Sequence, residues 1–124
     1  MAGRAARGEL EAQIMDVLWA SDAPMTPAEV QEAVCTPRRR LAYNTVTTVL
    51  VRLWDKGMLE RKPAGRGYVY EPSTGRDEWA ARRMRELLDA SGDRQAALQR
   101  FVDSMSARDA RELRKVLDTR KPRR

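Results

Sequence analysis

One stretch of the chain, residues 41–57, combines an apolar stripe with an unusual polar face. Apolar residues recur at the period of an α-helix, at positions Val46, Val49, Leu50 and Leu53. The opposite side carries short polar groups and one arginine where an ordinary solvated helix has Glu and Lys, at positions Asn44, Thr45, Thr48 and Arg52. Short groups that donate and accept hydrogen bonds can approach base edges in a DNA major groove. We therefore expect a DNA-reading helix, with a threonine-rich surface helix lacking a partner as the alternative.

Signals before this stretch predict two further helices. Apolar positions from Leu10 to Trp19 recur with helical period, and Met25 is expected in a strand of one or two residues. The run Thr26-Pro-Ala-Glu29 is a capping box with proline at the first helical position, which predicts a second helix. The DNA-reading helix is then the third.

A β-hairpin is predicted after Gly57, which ends the third helix. Residues 58–62 and 68–71 alternate with period two, and the glycine-containing residues 63–67 lie between them. Three helices followed by a hairpin with a basic tip are the winged helix-turn-helix order. In that fold the third helix enters the major groove and the hairpin contacts the backbone or the minor groove.

The net charge of +6 is concentrated around the third helix. Residues 8–37 contain six acidic side chains and no Lys or Arg, whereas residues 38–72 contain eight basic and three acidic side chains. Such a patch favours a polyanion as partner, here double-stranded DNA.

Residue types exclude several other functions. The chain has no histidine and one cysteine, Cys35, so we expect no enzyme activity, no metal site, no cofactor and no internal disulfide. Cys35 is expected to be a buried helical thiol, with a redox switch as the alternative. No apolar run approaches the roughly 18 residues of a membrane span, and a secretion signal is missing, so we expect no membrane insertion and a cytoplasmic location.

Four segments follow from these patterns. We expect a flexible basic arm at 1–8, a winged helix DNA-binding domain at 9–72, a helical dimerisation domain at 73–119 and a basic tail at 120–124. The fold is thus mainly α with a small β-hairpin, a winged helix-turn-helix domain plus a three-helix C-terminal dimerisation region. Three short amphipathic helices are too small to hold a core alone. We expect a second copy to cover them in a homodimer, with packing onto their own winged domain as the alternative. The expected interface residues are Trp79, Met84, Leu87, Leu88, Leu98, Phe101, Val102, Leu113, Val116 and Leu117.

Five short motifs occur in order between residues 11 and 70, and the pattern to which they belong extends over residues 9 to about 118. They are Glu11-x-x-Ile-Met-x-Val-Leu-Trp19, Thr26-x-x-Glu-Val30, Tyr43-Asn-Thr-Val-x-Thr-x-Leu-x-Arg-Leu53, Lys56-Gly-x-Leu59 and Gly67-Tyr-x-Tyr70. Together they resemble the BlaI/MecI penicillinase-repressor family. The resemblance implies a homodimeric repressor that binds palindromic operators and blocks β-lactam resistance genes and its own operon.

The resemblance also implies that a membrane-bound sensor protease relieves repression by leading to cleavage in the C-terminal region. The scissile bond of the penicillinase repressors joins Asn to Phe, and the corresponding pair here is Arg100 and Phe101. Copper-sensing relatives carry a C-terminal cysteine cluster, which this chain lacks after Cys35, so copper sensing is not expected.

The expected DNA contacts divide into two groups. Base readers near the start of the third helix are Asn44, Thr45, Thr47 and Thr48. Phosphate contacts are expected from Tyr43, Arg52, Arg66 and Arg40. Tyr43 fits equally a residue that closes the start of the helix, and residues 38–40 fit a solvated charge run. Two other functions remain open, a winged helix that binds proteins and a repressor that binds a small ligand directly.

Overall fold

A computed structural model describes residues 2–120, and the side chains of residues 8–120. This part of the chain contains six helices and one antiparallel two-stranded sheet, which confirms the predicted fold class. In chain order the elements are α1 (Ala2–Ala20), α2 (Pro27–Val34), α3 (Tyr43–Asp55), β1 (Leu59–Ala64), β2 (Gly67–Pro72), α4 (Arg76–Asp89), α5 (Arg94–Asp103) and α6 (Ala107–Thr119).

The two ends of the chain differ in how they compare with the prediction. The backbone is helical from Ala2, where the sequence predicts a flexible arm over residues 1–8. Alanine and arginine dominate residues 2–7, both are strong helix formers, and no proline precedes Pro24. The helix therefore begins N-terminal to Leu10, the first residue of the apolar pattern. Met1 and residues 121–124 of the predicted tail lie outside the described residues.

The chain divides into two compact units, the first ending at Trp79 and the second beginning at Ala80. In the first unit, α1, α2, α3 and the hairpin enclose one hydrophobic core. Its fully buried side chains are Ile14, Met15, Val30, Val46, Leu50 and Leu53. The predicted capping box starts α2: the Glu29 amide donates to Thr26 Oγ1 at 3.1 Å, and the Thr26 amide donates to Glu29 Oε1 at 2.9 Å.

The hairpin is longer and its turn tighter than predicted. Strand pairing runs from Leu59↔Pro72 to Ala64↔Gly67, which leaves Gly65 and Arg66 as the turn. Gly65 has a φ of +59°, in the left-handed region that glycine adopts without strain. Met25 pairs with Tyr70 through two backbone hydrogen bonds of 2.9 and 2.8 Å, which confirms the short strand predicted there.

The first turn of α4 belongs to the first unit. Trp79 packs edge-to-face on Trp19 with ring centroids 6.2 Å apart, and the Trp19 indole donates to the Thr74 carbonyl at 2.9 Å. Arg76 also bonds Asp16 at 2.8 Å. The compact unit therefore extends beyond residue 72, where the sequence predicts its end.

The second unit consists of the remainder of α4, with α5 and α6. None of the described residues 80–120 is buried within this single chain. The side chains of Ser106 and Asp93 cap the starts of α6 and α5. Local capping therefore defines these helices, while their apolar faces remain uncovered.

Candidate nucleic-acid interface

The segment that precedes α3 holds the start of the helix in place. Gln31 Nε2 donates to the Leu41 carbonyl at 2.8 Å, and the Leu41 amide donates to Cys35 Sγ at 3.3 Å. The N-cap residue Ala42 offers no side-chain acceptor, so the amides of the first turn are left without a capping side chain. A helix start of this kind attracts anions, because the unpaired amides and the helix dipole both favour negative charge.

The four predicted base readers of α3 differ in their exposure to solvent. Asn44, Thr45 and Thr48 are exposed, and the stripe from Val46 to Leu53 is buried. Thr47 is half-buried, and its hydroxyl donates to the Asn44 carbonyl at 3.1 Å. That hydroxyl is therefore already engaged with its own helix backbone, which makes Thr47 less available to a base than its three neighbours.

Two residues of the outward face of α3 were not singled out from the sequence. Val51 and Asp55 are exposed and lie seven and eleven residues after Asn44, a spacing that places them on the same side of the helix. The carboxylate of Asp55 repels phosphate groups at the C-terminal end of this face. The N-terminal half of α3 is therefore the part suited to a DNA groove, as in other helix-turn-helix proteins.

Arg52 lies against an acidic side chain of α1. Its Nη1 is 3.9 Å from Oε2 of Glu11, and Lys56 Nζ is 3.5 Å from the same oxygen. The Glu11 side chain is only 4% exposed, and Arg52 Nη1 is buried without a hydrogen-bond partner among the described residues. Arg52 thus points toward a buried carboxylate, whereas the sequence predicts a phosphate contact.

The remaining cations predicted to contact phosphate lie at the surface. Arg66 is exposed in the turn of the hairpin, and Arg40 is exposed in the loop before α3. Within residues 8–120 neither has a carboxylate at ion-pair distance. Tyr43 is exposed at the first position of α3, which agrees with both of its predicted roles.

The sequence patterns did not predict a functional role for Arg61 of β1. Its guanidinium carbon lies 3.6 Å from the centroid of the Trp54 ring and 4.0 Å from that of Tyr68. Strand alternation places Arg61 on the same face of the hairpin as Leu59 and Tyr70, which are both buried. That alternation is a sequence signal, but the approach of Trp54 depends on how α3 packs against the hairpin.

The apolar residues predicted for dimerisation are exposed at most positions of the second unit. Those with large exposed surface are Met84, Leu87, Leu98, Phe101, Val102, Val116 and Leu117. Leu88 and Leu113 are half-buried, whereas Trp79 packs in the first unit. A groove of about 700 Å³ lies between α4 and α5, and Met84, Leu88, Leu98 and Phe101 contribute to its lining.

The described residues contain neither a candidate membrane span nor a candidate metal site. No helix among them is long and apolar enough to cross a membrane. In the same part of the chain, no group of three or more Cys, Asp or Glu side chains is arranged to hold a metal ion.

Three helices, a two-stranded wing and an outward polar face on α3 define a winged-helix protein. The family model of the penicillinase repressors matches residues 7–119, and the chain belongs to that family. It is 43% identical over 113 residues to the transcriptional regulator BlaI of Mycobacterium tuberculosis, in strains CDC 1551 and H37Rv. The match covers 89% of this chain and 81% of the relative. Because these relatives are transcriptional regulators, they confirm that the chain is a regulator and not an enzyme.

A solved structure shares the fold at low sequence identity. The ferric uptake regulator Fur of Helicobacter pylori superimposes with a TM-score of 0.51 and 14% identity. The match covers 60% of this chain and 52% of the Fur chain, so the likeness is one of fold over part of each chain. The Fur structure is described as having three functional metal-binding sites, which are a property of that protein.

Proposed function

We propose that the chain is a homodimeric transcriptional repressor whose two α3 helices read the two halves of a palindromic operator. The exposed short polar side chains at the uncapped start of α3 carry this proposal, because they combine base-edge donors and acceptors with a site for a phosphate. Asn44 is suited to an adenine, and the methyl groups of Thr45 and Thr48 are suited to thymine. Arg66 and Arg40 supply phosphate contacts from the wing and from the loop before α3.

The second unit supports the dimeric part of the proposal. Its helices expose apolar side chains such as Leu87, Val116 and Leu117. Contact between such apolar surface and water is unfavourable. A second copy of the same surface buries them through a two-fold interface. Two linked α3 helices then contact two half-sites, which gives the specificity that one winged domain lacks.

Relief of repression is proposed to follow cleavage next to Phe101. This residue and Arg100 lie in the last turn of α5, where the backbone is helical. A protease binds its substrate in an extended form, so α5 must open locally before this bond is cut. Cleavage there separates α6, with Leu113, Val116 and Leu117, from the DNA-binding unit and thereby weakens the dimer. The proposed targets are β-lactam resistance genes and the chain's own operon, with a sensor protease as inducer and the cytoplasm as location.

Footprinting on the region upstream of the chain's own gene tests the proposal. We expect one protected region with two-fold symmetry, together with a dimer in sedimentation at micromolar concentration. A protected region without dyad symmetry contradicts the dimer on a palindrome. A protein-binding winged helix is instead indicated if duplex DNA is not bound even at low salt, where electrostatic binding is strongest.

A further inference from the structure

Arg61 occupies the crease between α3 and the wing, with its guanidinium close to two aromatic rings. The rings of Trp54 and Tyr68 lie 3.6 and 4.0 Å from its central carbon, and Nη1 donates to Tyr70 Oη at 3.5 Å. Trp54 is 37% exposed and Tyr68 is 40% exposed, so the crease opens to solvent. These two cation–π contacts restrict the position of the guanidinium.

The positive charge of Arg61 has no carboxylate beside it. In the first unit Arg52 and Lys56 pair with Glu11, and Lys62 pairs with Glu71 at 3.8 Å. No acidic oxygen among the described side chains lies within 4.0 Å of Arg61. Its single hydrogen bond within this part of the chain is the one to Tyr70. Several of its five N–H donors are therefore available to an external acceptor.

We propose that Arg61 is a preformed binding site for one backbone phosphate of duplex DNA. The inference rests on the proposed DNA-binding function. It adds a phosphate contact at Arg61, a residue that its own exposure to solvent does not single out. A guanidinium presents parallel N–H groups that match the oxygens of a phosphate. Since the two rings already order this side chain, binding loses less conformational freedom here than at Arg66, which lies exposed in the turn.

The surroundings favour phosphate over a neutral ligand. Residues 38–72 carry eight basic and three acidic side chains, so the field around the crease attracts a polyanion. The crease also adjoins α3, because Trp54 is a residue of that helix. If α3 occupies a groove, the DNA backbone that flanks this groove passes the side of α3 next to Trp54, and not the outward face that carries Asp55.

Salt-dependent binding to a fluorescein-labelled duplex of mixed sequence tests the site. Arg61→Met keeps an unbranched apolar side chain in contact with the rings and removes the charge. The matched control is Lys62→Met, one residue further on the opposite face of the hairpin. We expect Arg61→Met to reduce the slope of log K against log salt by about 0.9, the value for one phosphate contact, and the control to change it by less than half as much. Thermal melting of each variant verifies its folding.

Three outcomes separate this inference from the proposed function. If the wild-type chain binds no duplex, the proposed DNA-binding function fails. If the wild type binds and Arg61→Met leaves the slope unchanged, the Arg61 assignment alone is overturned. Equal slope changes in both variants also overturn it, because they indicate a general field instead of a contact.

A second measurement uses the wild-type chain and does not depend on a variant that folds. We expect the ring currents of Trp54 and Tyr68 to shift the Nε–Hε resonance of Arg61, which can then be followed by NMR. We expect it to move and saturate as the duplex is added, and to move little when inorganic phosphate is added at the same phosphate concentration. No movement with the duplex overturns the proposal. An equal, saturating response to inorganic phosphate also overturns it, because it assigns the site to a free anion.

Discussion

The substitution Glu11→Gln tests how the winged domain holds its third helix. The Glu11 carboxylate is nearly buried, and two cations of α3, Arg52 and Lys56, lie 3.9 and 3.5 Å from it. Each pair contributes a gross attraction of about 4 kcal/mol at the dielectric response of a protein surface. Desolvation of the carboxylate, which costs several kcal/mol, and repulsion between the two cations offset most of it. Since each cation is about one-third exposed, we expect a net loss of about 2 kcal/mol in the free energy of unfolding.

Urea unfolding at neutral pH and fixed protein concentration measures this loss. The control is Glu9→Gln, which removes an exposed acidic group two residues earlier in α1. We expect the control to change stability by less than about 0.5 kcal/mol. The double variant Glu11→Gln with Arg52→Met should lose less than the sum of the single variants, because the two side chains interact. Equal stabilities of the Glu11 and Glu9 variants, or strictly additive losses, refute the reasoning.

Three further substitutions test other parts of the fold and the interface. Leu50→Ala should lower the free energy of unfolding in urea by about 2–5 kcal/mol, because Leu50 is fully buried. Val51→Ala on the exposed face of α3 should change this free energy by less than about 0.5 kcal/mol. Similar losses in the two variants contradict the assignment of the buried and exposed faces. Gly65→Ala should lower the free energy of unfolding by about 1 kcal/mol, because the φ of Gly65 is +59°. The control is Gly67→Ala, since Gly67 has no positive φ and an added Cβ would meet no atom within 4 Å. A loss confined to the control contradicts the turn geometry. Arg66→Ala should weaken binding to all duplex sequences alike and flatten the salt slope by about 0.9; an effect on one sequence only argues against a phosphate contact.

The elements of the winged domain could be predicted because each has a local sequence signal. The spacing of Val46, Leu50 and Leu53 encodes the buried face of α3, and the four residues that begin at Thr26 encode the start of α2. The ends of the two hairpin strands were harder to predict from the sequence. Pro63 suggests a loop, yet it lies within β1, where a two-stranded sheet leaves an edge that does not require its missing N–H.

The contacts between distant segments could not be predicted. Lys56 and Glu11 are separated by 45 positions, and Trp19 and Thr74 by 55, so their pairing depends on how the helices pack. For this reason the sequence assigned a phosphate contact to Arg52, whose guanidinium points toward Glu11.

The candidate site was therefore only partly accessible from the sequence. Helical period correctly gave the exposure of Asn44, Thr45 and Thr48, and their contacts with bases stay a prediction. The cation–π contact of Arg61 with Trp54 joins a strand to a helix, so no local sequence pattern predicts it.

Selection of binding sites from a random duplex library by the wild-type chain tests the central claim most directly. We expect enriched sequences with two-fold symmetry and half-sites separated by whole turns of DNA, about 34 Å for one turn. Asn44→Ala should alter the preferred base at one position of each half-site and leave the spacing unchanged. Enrichment of a single asymmetric site, no enrichment at all, or an unchanged base preference in the Asn44 variant contradicts a dimer that reads DNA through α3.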